Sequence, residues 1–154
     1  MRTWIVAGSV ALAVAATDGG VAVTDAGADP IRLELALPSH VRAGEAVPLR
    51  LRVENVGGQP VDLYLRGRAP TLDVLVARAS GEVVWSRLEG EIIPAIVQLR
   101  PLAPGERLEL ETVWNQRTKA GKRVGAGEYL VTGLLLVEDG QLSAPPRRLT
   151  ITAR

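Results

Sequence analysis

From Ile31 the chain alternates without a break. Ile31, Leu33, Leu35 and Leu37 fall on one side of an extended backbone, with Arg32 and Glu34 on the other. After Pro38 to Glu45 the pattern returns, with Val47, Leu49, Leu51 and Val53 opposed by Arg50, Arg52 and Glu54. A period of two gathers the apolar side chains of a strand on one face and turns the other to water. Wound into a helix, the same residues would scatter around the axis. Half-buried strands are therefore the starting point for any fold of this chain.

Asn55-Val56-Gly57-Gly58 ends the second run with turn chemistry. Further strands are predicted at 61–66, 72–77, 82–87, about 95–100, 107–114, 129–137 and 147–152. No window joins a helical period to helix caps, and turn formers recur about every 8 to 12 residues, the spacing of sandwich folds. The prediction is an all-β fold, an immunoglobulin-like antiparallel β-sandwich of about 8–9 strands. Gly127-Glu128-Tyr129 supports it, because a Gly-x-Tyr at a strand start suits a tyrosine corner, whose phenol bonds the backbone just upstream.

With 154 residues and 47 % apolar composition, the chain can build one substantial core. Phe is absent and aromatics make up 3 %, so Leu, Val, Ala and Ile must fill it. Trp85, Trp114, Tyr129 and Tyr64 lie on four predicted strands. They read as core, with Gly133 as a flat spot against which an indole could lie; an exposed aromatic platform is the other reading.

Arg2, an uncharged stretch from Thr3 to Ala16 and Ala13-Val14-Ala15 have the three parts of a secretory signal. Residues 1–16 are then a signal peptide, 17–30 a Gly-rich flexible leader and 31–154 the folded domain. The apolar stretch falls short of the roughly 20 residues a bilayer span requires, so the mature chain carries no membrane anchor. On this reading the protein is exported, periplasmic or secreted. The alternative is a mis-called start or an N-terminal hairpin turning at Asp18-Gly19-Gly20, either of which leaves it cytoplasmic.

The charged and reactive residues exclude several functions. Eighteen basic against seventeen acidic side chains, net +1, supply no single-sign field to recruit nucleic acid. Without Cys there is no disulfide, thiolate nucleophile or Cys-ligated zinc, and His40, the one histidine, has no partner for a triad or a histidine-based metal site. Glu109 and Glu111 alternate with Leu108 and Leu110 and read as a solvated outer face. Glu138-Asp139-Gly140 lacks the spaced oxygen ligands of a calcium loop and reads as a hairpin turn. A non-catalytic binding module, with no cofactor and no metal, is expected.

If successive strands run antiparallel, residues 38–45, 67–71, 88–94 and 115–126 share one end of the sandwich, and 56–59, 80–81, 101–105 and 138–146 share the other. The first set is longer and more varied, and function on sandwiches tends to sit on clustered loops. That end would present His40, Arg66, Arg68, Ile92, Ile93, Pro94, Asn115, Gln116, Arg117 and Lys119 to a protein partner. Ile92-Ile93-Pro94 is either a rigid, sticky segment or a cap on the core beneath.

Gly81 to Trp85, Leu102 to Glu106 with its Pro104-Gly105 turn, Trp114, and Gly127 to Tyr129 together resemble the BsuPI family of intracellular proteinase inhibitors. Its members share a Gly-x-x-Val-Trp strand, a Leu-x-Pro-Gly-Glu turn, a strand ending in Trp and a Pro-Gly-x-Tyr strand start. Glu54 to Val61 is similar to the Asn-x-x-x-x-x-Val segment of that domain, and Ala126 stands where the family often has Pro. The resemblance spans about residues 45–137 and implies a β-sandwich that engages a serine protease. The other function considered is an envelope module binding a partner protein or surface polymer, for example by adding a strand to a sheet edge.

Overall fold

The computed structural model describes residues 29–154. The expectations of a signal peptide at 1–16 and of nearly all the leader at 17–30 lie outside them. Two sheets pack face to face. The smaller has the order β1 (Ile31–Ala36), β3 (Val47–Asn55), β8 (Arg107–Trp114), all antiparallel. The larger is built around β9 (Gly127–Val137). One side of β9 carries β10 (Gly140–Ser143) and β11 (Arg147–Thr152), and the other carries β4 (Val61–Arg66) and β5 (Leu72–Arg78). Three short or edge strands complete it: β2 (His40–Arg42) on β11, β6 (Val83–Ser86) on β5 and β7 (Val97–Leu102) on β4. No described residue is helical, so the all-β sandwich expectation holds.

The alternation read from the sequence is the alternation of burial. Ile31, Leu33 and Leu35 of β1 and Val47, Leu49, Leu51 and Val53 of β3 are buried. They meet Leu63 and Leu65 of β4, Val74 and Val76 of β5, and Val131 and Leu135 of β9. The outer face of the small sheet is a charge ladder. Arg50 pairs with Glu111 at 2.8 Å and Arg52 with Glu109 at 3.3 Å, exposed pairs that contribute about 0–1 kcal/mol each. Arg107 bonds Glu54, and that hydrogen bond, followed by the carboxylate's charge, raises the guanidinium pKa above its ordinary value.

Two expectations about the core are corrected. Tyr64 lies on the outer face of β4, because Leu63 and Leu65 on either side take the inward positions. Gly133 does face the core, but leucines rather than an indole fill its flat spot. A Cβ there would come within 3.1 Å of Leu35 Cδ1 and 3.2 Å of Leu51 Cδ1.

Strand directions also correct the loop grouping. β4 and β5 are both antiparallel to β9, so they run the same way and residues 67–71 form a jog, not a return. β6 and β7 likewise share a direction, because they pair antiparallel with β5 and β4. Residues 67–71 and 88–94 therefore meet part-way along the sandwich, at its edge. The end with 38–45 and 115–126 receives the β5–β6 turn at 79–82 instead, because Arg78 stands opposite Tyr129.

The tyrosine corner forms as expected: Tyr129 Oη donates to Gly125 O at 2.5 Å. Tyr129→Phe keeps the ring and loses this bond. It is expected to lower unfolding free energy by about 0.5–1.5 kcal/mol in urea titration with the m-value unchanged.

Candidate protein-binding surface

Residues 87–96 leave β6 and return as β7, and both flanks are fastened. Arg87 Nη1 donates to Leu72 O at 2.7 Å and Arg87 Nε to Thr112 Oγ1 at 3.3 Å, joining the two sheets. Leu88 N donates to Asp73 Oδ1 at 3.1 Å, and Glu91 N closes a turn on Leu88 O at 2.9 Å. Gly90 has φ 81°, a left-handed conformation that suits glycine. At the far flank Gly67 N donates to Ile96 O at 2.7 Å, and Gln98 Nε2 to Arg68 O at 2.6 Å.

Between these anchors the two isoleucines part. Ile93 and Pro94 are half-buried, with Ile93 Cγ2 over Gly67, whereas Ile92 is 93 % exposed. The apolar surface continues through Ile96, Val97 and Leu99, the last 55 % exposed. These three are not among the sequence candidates, because they fall in the strand predicted at about 95–100 and not in a predicted loop. In fact β7 pairs only with β4. Gly67 N reaches Ile96 O, so Ile96 and Gln98 turn their backbone groups to β4, and Val97 and Leu99 turn theirs outward.

The other sequence candidates are dispersed. Half-buried Arg66, the last residue of β4, and exposed Arg68, on the adjoining jog, stand beside this segment. His40, exposed on β2, has Nδ1 3.0 Å from Ser39 Oγ. Asn115 is exposed and Arg117 half-buried at the sandwich end. Lys119 links the two regions, its Nζ donating to Arg87 O at 2.8 Å. Gln116 is corrected: it is 2 % exposed, and its amide is spent inside the protein. Its Nε2 donates to Arg42 O and Glu45 O, each at 2.8 Å, while its Oε1 accepts from Gly44 N at 3.1 Å. A φ of 60° at Gln116 aims the side chain inward.

Beneath this surface lie the motif residues. Trp85 and Trp114 have ring centroids 6.0 Å apart, and Tyr129 meets Trp114 edge-on at 6.2 Å. Trp114 Nε1 donates to Arg117 O at 2.9 Å, tying the core to the 115–126 loop. At the opposite end the Pro104-Gly105 turn closes with Glu106 N on Ala103 O at 2.9 Å, and Gly105 takes φ 78°. Gly127, with φ 147°, opens β9.

Fold and surface together define an immunoglobulin-like β-sandwich that displays an anchored apolar segment at one edge. The chain belongs to the BsuPI family, described as intracellular proteinase inhibitor, which matches residues 34–140. No curated protein shows significant sequence similarity to it. Among solved structures it is similar to the CARDB domain of a Pyrococcus furiosus protein, at 15% identity over 79% of this chain and 87% of that one, with TM-score 0.45. It is also similar to dimeric latent PorU from Porphyromonas gingivalis, at 21% identity over 83% and 10% of the two chains, with TM-score 0.49. A third is the alkylpurine DNA glycosylase AlkC from Pseudomonas fluorescens, at 14% identity over 80% and 31%, with TM-score 0.47. Likenesses at this level carry no argument about function.

Proposed function

We propose that the protein is a non-catalytic proteinase inhibitor whose segment 88–96 enters the cleft of a serine protease, with Ile92 as the leading side chain. The observation that carries this is a fully displayed Ile92 between flanks fastened to β5 on one side and to the 67–71 jog on the other. A segment already held in shape loses little conformational entropy on binding, which is what a tight inhibitor requires. Family membership supports the inhibitor class. The export signal read at residues 1–16 would direct it to proteases outside the cytoplasm.

Inhibition of a panel of subtilisin-like and trypsin-like proteases by the purified chain tests this reading. At least one is expected to be inhibited, and Ile92→Asp is expected to weaken that inhibition by about 100-fold or more, as loss of a central anchor does. A panel untouched by the folded chain would count against inhibition. It would favour the second reading, an envelope interaction module that adds a partner strand at the free edge of β7, where Val97 and Leu99 turn their backbone outward.

A further inference from the structure

The loop at residues 115–126 gathers cations without carboxylate partners. Arg117, Lys119, Lys122 and Arg123 fall close together, and no acid occurs between Glu111 and Glu128. Arg42 and Arg154 flank them, with Arg154 Nε donating to Ala43 O at 3.2 Å. Among the described residues Arg50, Arg52, Arg100 and Arg107 each pair with a glutamate, and so does Arg78 with Glu82 beside this end of the sandwich. Among those residues Arg42, Arg117, Lys119, Lys122, Arg123 and Arg154 make no such pair.

Several are instead held by backbone carbonyls. Arg117 Nη1 donates to Gly121 O at 2.8 Å, and Lys119 Nζ is fixed on Arg87 O. The loop is itself a small hairpin, with Thr118 N on Lys122 O at 2.8 Å and Gly121 N on Thr118 O at 2.9 Å. Within it Arg117 and Arg123 are direct partners across an antiparallel bridge. Like charges directly opposite one another repel and destabilise the pairing. Next to them is a concavity of about 180 Å³, lined by both arginines with Ala43, Gly44, Asn115 and Gln116.

We propose that this end is a docking surface for an acidic protein segment, with a carboxylate of the partner seated between Arg117 and Arg123. Guanidinium forks match a carboxylate in geometry and charge, and an anion there relieves the repulsion that the free protein carries. Cations already fixed by carbonyls suit a partner of defined shape, because less side-chain freedom is lost on docking. Single-stranded nucleic acid is disfavoured, because Trp114 and Tyr129 are buried and Trp85 is half-buried and packed on Trp114, so the rings of this end offer no open platform for bases. A lipid surface is disfavoured too, since Val124, the largest apolar side chain of the loop, is buried. The proposal depends neither on Ile92 nor on the inhibitor reading.

Poly-L-glutamate serves as the probe, titrated at low salt into the nitrogen-15-labelled chain, in parallel with phosphatidylglycerol vesicles and oligothymidylate. Saturable shifts are expected at the amides of Ala43, Gly44 and residues 117–124 with polyglutamate. Joint Lys122→Ser and Arg123→Ser substitution should weaken them about tenfold, whereas Arg32→Ser, on the exposed face of β1, should leave them unchanged. Arg123→Ser alone should weaken binding while holding or raising the unfolding midpoint, an opposition that a purely structural arginine would not give. Absence of shifts at these amides in the folded chain would overturn the proposal. So would undiminished binding by the double variant, or vesicle or oligonucleotide binding as tight as that of polyglutamate.

Discussion

Trp114→Ala is expected to lower the unfolding free energy by about 3–5 kcal/mol, the range for truncating a buried large aromatic, measured by urea titration. Trp114 is 1 % exposed and ends β8 where the small sheet meets the loop of the large one. Truncation removes the ring packed between Trp85 and Tyr129, and leaves Arg117 O without its indole donor. Trp114→Phe retains most of the packing but not the hydrogen bond, and should lie between wild type and alanine. A loss below about 1 kcal/mol for alanine would mean that the aromatic cluster does not hold the sandwich together.

The second large effect is expected at Asn55, which has no exposed surface. Its Nδ2 donates to Gln59 O at 2.7 Å and Leu102 O at 2.9 Å, and its Oδ1 accepts from Gly57 N at 2.9 Å. The backbone continues the junction: Asn55 N donates to Glu106 O at 3.1 Å and Asn55 O accepts from Gly105 N at 2.8 Å. One side chain thus joins the turn after β3 to the turn before β8. Asn55→Ala strands the buried Leu102 O and removes the partner of the part-buried Gln59 O and Gly57 N, at about 1–3 kcal/mol for each group left unsatisfied, so a total loss near 3 kcal/mol is expected. Asn55→Asp, equal in shape but without the donor, should fall at least as far, because it adds a buried charge. Unfolding at the wild-type midpoint in either variant would show that water replaces the amide there.

Features encoded locally are legible in the amino-acid sequence. The alternation at 31–37 and 47–54 predicts the buried faces of β1 and β3, and Gly127-Glu128-Tyr129 predicts the corner. β2 and β10 escape such reading because runs as short as His40–Arg42 and Gly140–Ser143 show too little period to separate a strand from a turn. The jogs at 67–71 and 87–96 are hidden for a different reason: strand direction is fixed by pairing across the sheet, and the residues of the connection do not encode it. This is why the expected loop cluster disperses, with 88–94 at the edge and 115–126 at the end. The outward placement of Tyr64 is legible in principle, since Leu63 and Leu65 already claim the inner face of its strand. The buried amides are less so. Asn55 sits among turn formers and Gln116 in a polar loop, and only the finished fold shows that each is enclosed and bonded on all sides.

The central claim is that Ile92 leads an anchored segment into a protease cleft. Active-site titration of an inhibited panel protease with wild-type chain and with Ile92→Asp tests it most directly, with urea midpoints recorded for both. The account predicts a one-to-one end point for wild type that is lost in Ile92→Asp at an unchanged midpoint, since so exposed a side chain contributes little to folding. The same end point in both chains, or no inhibition of any panel protease by the folded wild type, would contradict it.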